Sequence, residues 1–143
     1  MKRIKLSERV LPTYTKGEEI FNMVSHIVGA VVGVVALVLC VIFAAIHGNV
    51  YGVVSSAIFG VTLIILYTMS SIYHGLNEKL KAKKVFQVID HCSIFLLIAG
   101  SYTPFALCTL REYSPAVRMD HIWNNMGISN IRNCIKCNRF KKI

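Results

Sequence analysis

The stretch "SSIYHGLNEKLKAKKVFQVIDH" (residues 70–91) closes one apolar run on Ser70, Tyr73 and His74, passes four lysines, and opens the next run on Asp90 and His91. Hydroxyl and ionisable groups therefore gather where two greasy segments leave and re-enter a short basic loop. Working outward, the apolar run before this stretch covers about 51–74 and the one after it about 85–110. A third covers about 20–46, closed by the uncharged turn His47-Gly48-Asn49. A transmembrane helix needs about 20 predominantly apolar residues, and each run meets that length. The expected fold is all-α and integral to the membrane, with three transmembrane helices.

Composition supports the same reading. Of 143 residues, 55% are hydrophobic and only 16% charged, with a mean hydropathy of +0.56. An ordinary soluble domain carries nearer a quarter charged residues. The net charge of +9 is unevenly distributed. Residues 1–19 hold five basic and three acidic groups, 75–84 four and one, and 118–143 six and one. No nucleic-acid motif accompanies these clusters, two of which flank apolar runs, so membrane lipid rather than nucleic acid is the expected partner. Lysine and arginine bias sets orientation. The basic lead-in 1–19 and the 75–84 loop are expected in the cytoplasm and the 47–50 turn outside, in the cell membrane. A soluble three-helix core would not explain this alternation of charge. No cleaved leader is expected, because Glu8, Glu18 and Glu19 precede a run longer than a signal-peptide core.

That topology brings the start of span one, the end of span two and the start of span three to one side. Glu19, Asn22 and His26 lie at i, i+3, i+7 on one helical face, with Ser25 beside them. Ser70 and His74 lie at i, i+4, and Asp90 and Ser93 begin a stripe on the third span. The bland reading is decoration at the headgroups, where ionisable groups are cheap. It is the favoured one for His47, which lies one span away at about 1.5 Å per residue. The functional reading is a metal site, in which imidazole binds zinc and a carboxylate takes a proton from water. Gly29/Gly33 and Ser56/Gly60 provide small-xxx-small spacings for close helix approach. Cys40, Cys92 and Cys108 read as small buried hydrophobes, and the Cys134/Cys137 pair lacks the second ligand pair a metal needs.

"GEEIFNMVSH", "SSIYH" and "DHCSIFLLIAGSYTPF" follow in this order, each at a helix end on the shared side. Together they resemble the hemolysin III family, relatives of the progestin and adipoQ receptors, over roughly residues 14–117. The resemblance implies the N-terminal part of a seven-helix bundle with a cytoplasm-facing zinc site, related to membrane ceramidases. It implies a metal held by a histidine ending the second helix and two more on the seventh. His74 is then the metal ligand, Asp90 the carboxylate that bonds the zinc water, and Ser70 the hydroxyl of the S-x-x-x-H motif. Glu19, Asn22 and His26 match the polar start of helix one, and His91 is a further imidazole at similar depth. The implied activity is zinc-dependent hydrolysis of lipid or amide substrates. The family name points instead to red-cell lysis by a membrane-perturbing, pore-forming action.

The chain departs from that pattern after Pro115. Residues 118–143 show no apolar run and no clear period. With A/T-rich codons, moving the reading frame by one base permits a fourth span there. The 111–143 tail is accordingly expected to be irregular, the product of a frameshift. A chain so truncated after the third helix is expected to lack most of the metal site and to be inactive alone. Completion would then take missing C-terminal helices or another copy, and without them the glycine faces of the first span would be left uncovered.

Overall fold

The computed structural model describes residues 11–110. Three α-helices follow one another: α1 (Lys16–Ile46), α2 (Val50–Gly75) and α3 (Lys81–Pro104). A π-helical segment, Phe105–Leu110, continues from α3. All three are long and apolar enough to cross a membrane, the third as Lys81–Cys108. The described residues contain no strand. The chain is an all-α protein of membrane-spanning type.

Local chemistry sets the helix ends. Thr15 and Glu18 form a capping box: the Glu18 amide donates to Thr15 Oγ1 at 3.3 Å, and the Thr15 amide donates to Glu18 Oε2 at 2.8 Å. This satisfies two donors that a helix start leaves bare, so α1 begins before its apolar run. Glu18 and Glu19 in the first turn complement the helix dipole. At the other end Gly48 adopts φ +65°, the left-handed conformation that glycine takes without strain. Asn49 then caps α2, its Oδ1 accepting from the Gly52 amide at 2.9 Å. The link from α2 to α3 is only Leu76 to Leu80, because α3 starts at Lys81, ahead of Val85. Lys83 therefore belongs to a helix and not to the loop. At the far end of α3, Pro104 has no amide to donate, and the backbone passes into the wider π register directly after it.

α2 is the central helix and packs against both α1 and α3. Glycines set how close the helices come. A Cβ at Gly29 would lie 2.8 Å from Tyr67 Cε1, and one at Gly60 would lie 2.5 Å from Leu37 Cδ1. Gly33 faces Leu63 and Ile64, and Gly100 abuts Thr62. The glycine faces of α1 are thus covered by α2 and not left open, contrary to the sequence expectation. The expectation treated the first span as waiting for absent neighbours, whereas its own hairpin partner fills the groove.

The interior reverses the pattern of a soluble protein. Its buried positions are Gly33 on α1, then Ser55, Gly60, Thr62, Ser70 and Tyr73 among others on α2, and Lys83, Gln87, Ser93, Gly100 and Thr103 on α3. Large apolar side chains such as Val31, Val35, Leu39 and Phe43 point outward. Small and polar residues pack helix against helix where lipid is the solvent, since hydrocarbon gives apolar side chains no reason to turn inward. The interior hydroxyls are satisfied locally. Thr62 Oγ1 donates to the Phe59 carbonyl at 2.8 Å, Ser93 Oγ to the Asp90 backbone carbonyl at 2.6 Å, and Thr103 Oγ1 to the Gly100 carbonyl at 2.8 Å.

Candidate functional site

The first turn of α1, the last turn of α2 and the first turn of α3 meet at one end of the bundle. Glu19 joins all three. Its Oε2 accepts from His74 Nδ1 at 2.7 Å, and its Oε1 accepts from Lys83 Nζ at 2.5 Å. The side chains are well covered, at 12% exposure for Glu19, 10% for His74 and 2% for Lys83. Helix electrostatics fit part of this arrangement. A carboxylate near the starts of α1 and α3 is favoured, as is an imidazole near the end of α2. A lysine in the first turn of α3 is not, and the Glu19 carboxylate compensates it.

Aromatic rings enclose His74. Tyr73 packs edge-on with centroids 4.8 Å apart, Tyr14 does so at 5.8 Å, and His26 stacks at 5.9 Å. Lys83 Nζ lies 5.4 Å from the centre of the Tyr73 ring, within cation–π range. His26 also leans on Tyr67 at 5.7 Å. Two buried polar atoms, His26 Nδ1 on α1 and Gln87 Oε1 on α3, have no hydrogen-bond partner among the described residues.

The structure brings together Glu19, His26 and His74, and distributes the other sequence candidates around them. Ser70 is buried one turn before His74. Asn22 lines a shallow neighbouring groove with Tyr14, Gly17, Glu18 and Phe21. Asp90, on α3 and 16% exposed, lies 3.9 Å from His91 Nδ1. His91 points outward, 53% exposed, and its Nδ1 donates to the Gln87 carbonyl at 2.7 Å. His47 lies at the opposite end, where its Nδ1 donates to the Phe43 carbonyl at 2.8 Å.

Sequence reasoning missed Lys83, which counted there as one of four loop lysines. The signal was present, because Lys83, Gln87 and Asp90 fall at i, i+4, i+7 and share a face of α3.

A catalytic zinc takes about three protein donors and a water. Among the described residues no group of three or more His, Cys, Asp or Glu side chains could hold a metal. Glu19 is already engaged by an ammonium and an imidazole, and His91 turns away. These residues alone do not fit a complete zinc site; His74 offers one ligand nitrogen.

Comparison with known proteins gives a consistent picture. The Haemolysin-III related family matches over residues 14–140, which extends past residue 118, where the change of frame is expected. Hemolysin-3 of Bacillus cereus is 43% identical over 94 residues, covering 66% of this chain and 42% of that protein. The Hemolysin-3 homolog of Bacillus subtilis (strain 168) is 43% identical over 98 residues, covering 68% and 46%. The matched region thus spans less than half the length of either relative. No solved structure matches the chain. With a family match across most of its length and two relatives at this identity, the chain is a multi-pass membrane protein that belongs to the Haemolysin-III related family.

Proposed function

We propose that the chain supplies the first three helices of a zinc-dependent membrane hydrolase acting on lipid or amide substrates, with the Glu19–His74–Lys83 end facing the cytoplasm. The observation that carries this reading is the cluster itself. Ionisable groups at the membrane are expensive and are kept where they do chemistry, and three helices here converge an acid, an imidazole and an amine. In this reading His74 provides one metal ligand. Asp90 is the carboxylate available as a general base, and Ser70 supports the turn that carries His74. The remaining ligands come from outside the described residues, through further helices of the complete protein or another copy. The 111–143 tail is the product of a frameshift in this proposal. DNA around codons 115–120 that encodes the tail in an undisturbed gene would remove that part.

The complete protein, purified gently, is expected to hold stoichiometric zinc and to turn over a lipid amide. His74→Ala should lose the metal, and Asp90→Asn should slow turnover by about 10²–10⁴-fold. Full-length protein without zinc or turnover refutes the proposal.

The names of the Bacillus relatives favour a second reading, a hemolysin that perturbs membranes. It predicts dye release from liposomes that chelators do not suppress, and no release at any protein-to-lipid ratio would dismiss it.

A further inference from the structure

We propose that the lysine rim at the cluster end of the bundle, made by Lys16, Lys79 and Lys81, binds the phosphate groups of anionic phospholipids. The inference stands apart from the hydrolase reading and holds whether or not that reading does.

All five lysines among the described residues lie at this one end. Lys16 starts α1, Lys79 lies in the link after α2, and Lys81, Lys83 and Lys84 fall in the first turn of α3. The His47–Asn49 turn at the opposite end carries no lysine or arginine. Within the rim the cations divide. Lys83 turns inward to Glu19, whereas Lys16, Lys79 and Lys81 are exposed. The nearby acids are engaged elsewhere. Glu19 is held between Lys83 and His74. Glu18 is turned back onto Thr15, accepting from its amide at 2.8 Å and its hydroxyl at 2.9 Å. Among the described residues Glu78 is the remaining acid at this end, one carboxylate for three ammonium groups. Helix stability does not ask for these cations, since the first turn of α3 holds no acid and positive charge there opposes the helix dipole.

The level of the rim in the bundle names the anion that answers it. Leu80, between Lys79 and Lys81, is 49% exposed, and Val85, one turn further on, is 41% exposed. The rim therefore straddles the boundary between apolar and polar surroundings. A lysine at such a boundary lays its methylene stem along the hydrocarbon and lifts its ammonium to the headgroups. The anion fixed at that level is the lipid phosphodiester. An anionic headgroup, unlike that of phosphatidylcholine, brings no cation of its own to compete for it. Each lysine near an anionic leaflet favours association by about fivefold.

The test is photocrosslinking of the whole chain in vesicles of equal parts phosphatidylglycerol and phosphatidylcholine. The photoreactive residue p-benzoylphenylalanine replaces Leu80 at the rim or Ile46 at the opposite end, and the lipid adducts are identified by mass spectrometry. At Leu80, phosphatidylglycerol adducts are expected to exceed phosphatidylcholine adducts about fivefold. At Ile46 the two are expected to be equal. Lys79→Gln with Lys81→Gln should bring the Leu80 ratio close to one, and Lys79→Arg with Lys81→Arg should keep it. Equal adducts at Leu80 in the parent chain overturn the proposal. So does a preference that survives the glutamine pair or that appears equally at Ile46. Inorganic phosphate separates the two sources of the anion. A ratio that collapses in phosphate but not in chloride of the same ionic strength assigns the rim to the free ion and overturns the lipid assignment. If the glutamine pair fails to fold, the contrast between Leu80 and Ile46 in the parent chain still decides.

Discussion

Glu19 answers an ammonium and an imidazole at once, and its removal should be felt mainly through what it leaves behind. Lys83 would remain buried as an ammonium without its carboxylate. Breaking a buried pair from one side costs about 3–5 kcal/mol, so Glu19→Ala should lower stability by that order in a detergent unfolding titration. Replacing both partners, as Glu19→Leu with Lys83→Leu, should recover most of the loss, because no uncompensated charge remains. A double variant as unstable as Glu19→Ala would show that the pair is not what Glu19 stabilises. At this scale the sequence was partly legible. Glu19, His26 and His74 could be placed at one helix end because each lies on a run whose limits are apolar. Lys83 could not, since its burial depends on α3 starting at Lys81, and the hydropathy of the third run begins only at Val85. The outward turn of His91 was equally hidden: adjacency to Asp90 in sequence says nothing about which face of α3 meets α2.

The helices owe their contacts to missing side chains more than to large ones. Gly60 admits Leu37 of α1, and Gly100 admits Thr62 of α2. Gly60→Leu should force α1 and α2 apart, since even its Cβ would fall 2.5 Å from Leu37 Cδ1. Overpacking of this kind costs about 1–3 kcal/mol. Cross-linking between cysteines introduced at Val34 and Leu63 should then fall relative to the parent. Undiminished cross-linking would show that the hairpin does not depend on this approach. The small-xxx-small spacings were legible in sequence, but their partner was not. Spacing reports that a neighbour can come close, and only the short His47–Asn49 turn, which returns α2 antiparallel along α1, decides which neighbour it is. The capping box at Thr15 likewise carries α1 several residues beyond its apolar run, an extension that hydropathy does not register.

At the scale of the molecule, the three spans followed directly from length and hydropathy, because lipid imposes one requirement on every residue it touches. The proposed orientation rests on charge and is open to a direct measurement. In a background without other cysteines, Asn77→Cys should resist a membrane-impermeant thiol reagent applied to intact cells, and His47→Cys should react. Labelling at Asn77 would invert the proposed topology. The unequal attachment of the helices also bears on how the chain is made. α1 and α2 form a hairpin through glycine grooves and the Glu19–His74 contact, using nothing that follows Gly75. α3 brings a charged amine into that hairpin, and no side chain caps its first turn. Once α3 is packed, Glu19 on α1 is the carboxylate that pairs with its buried Lys83. The docking of α3 is therefore expected to follow the pairing of α1 with α2, and a chain whose first helix fails to pack would leave that lysine without its carboxylate.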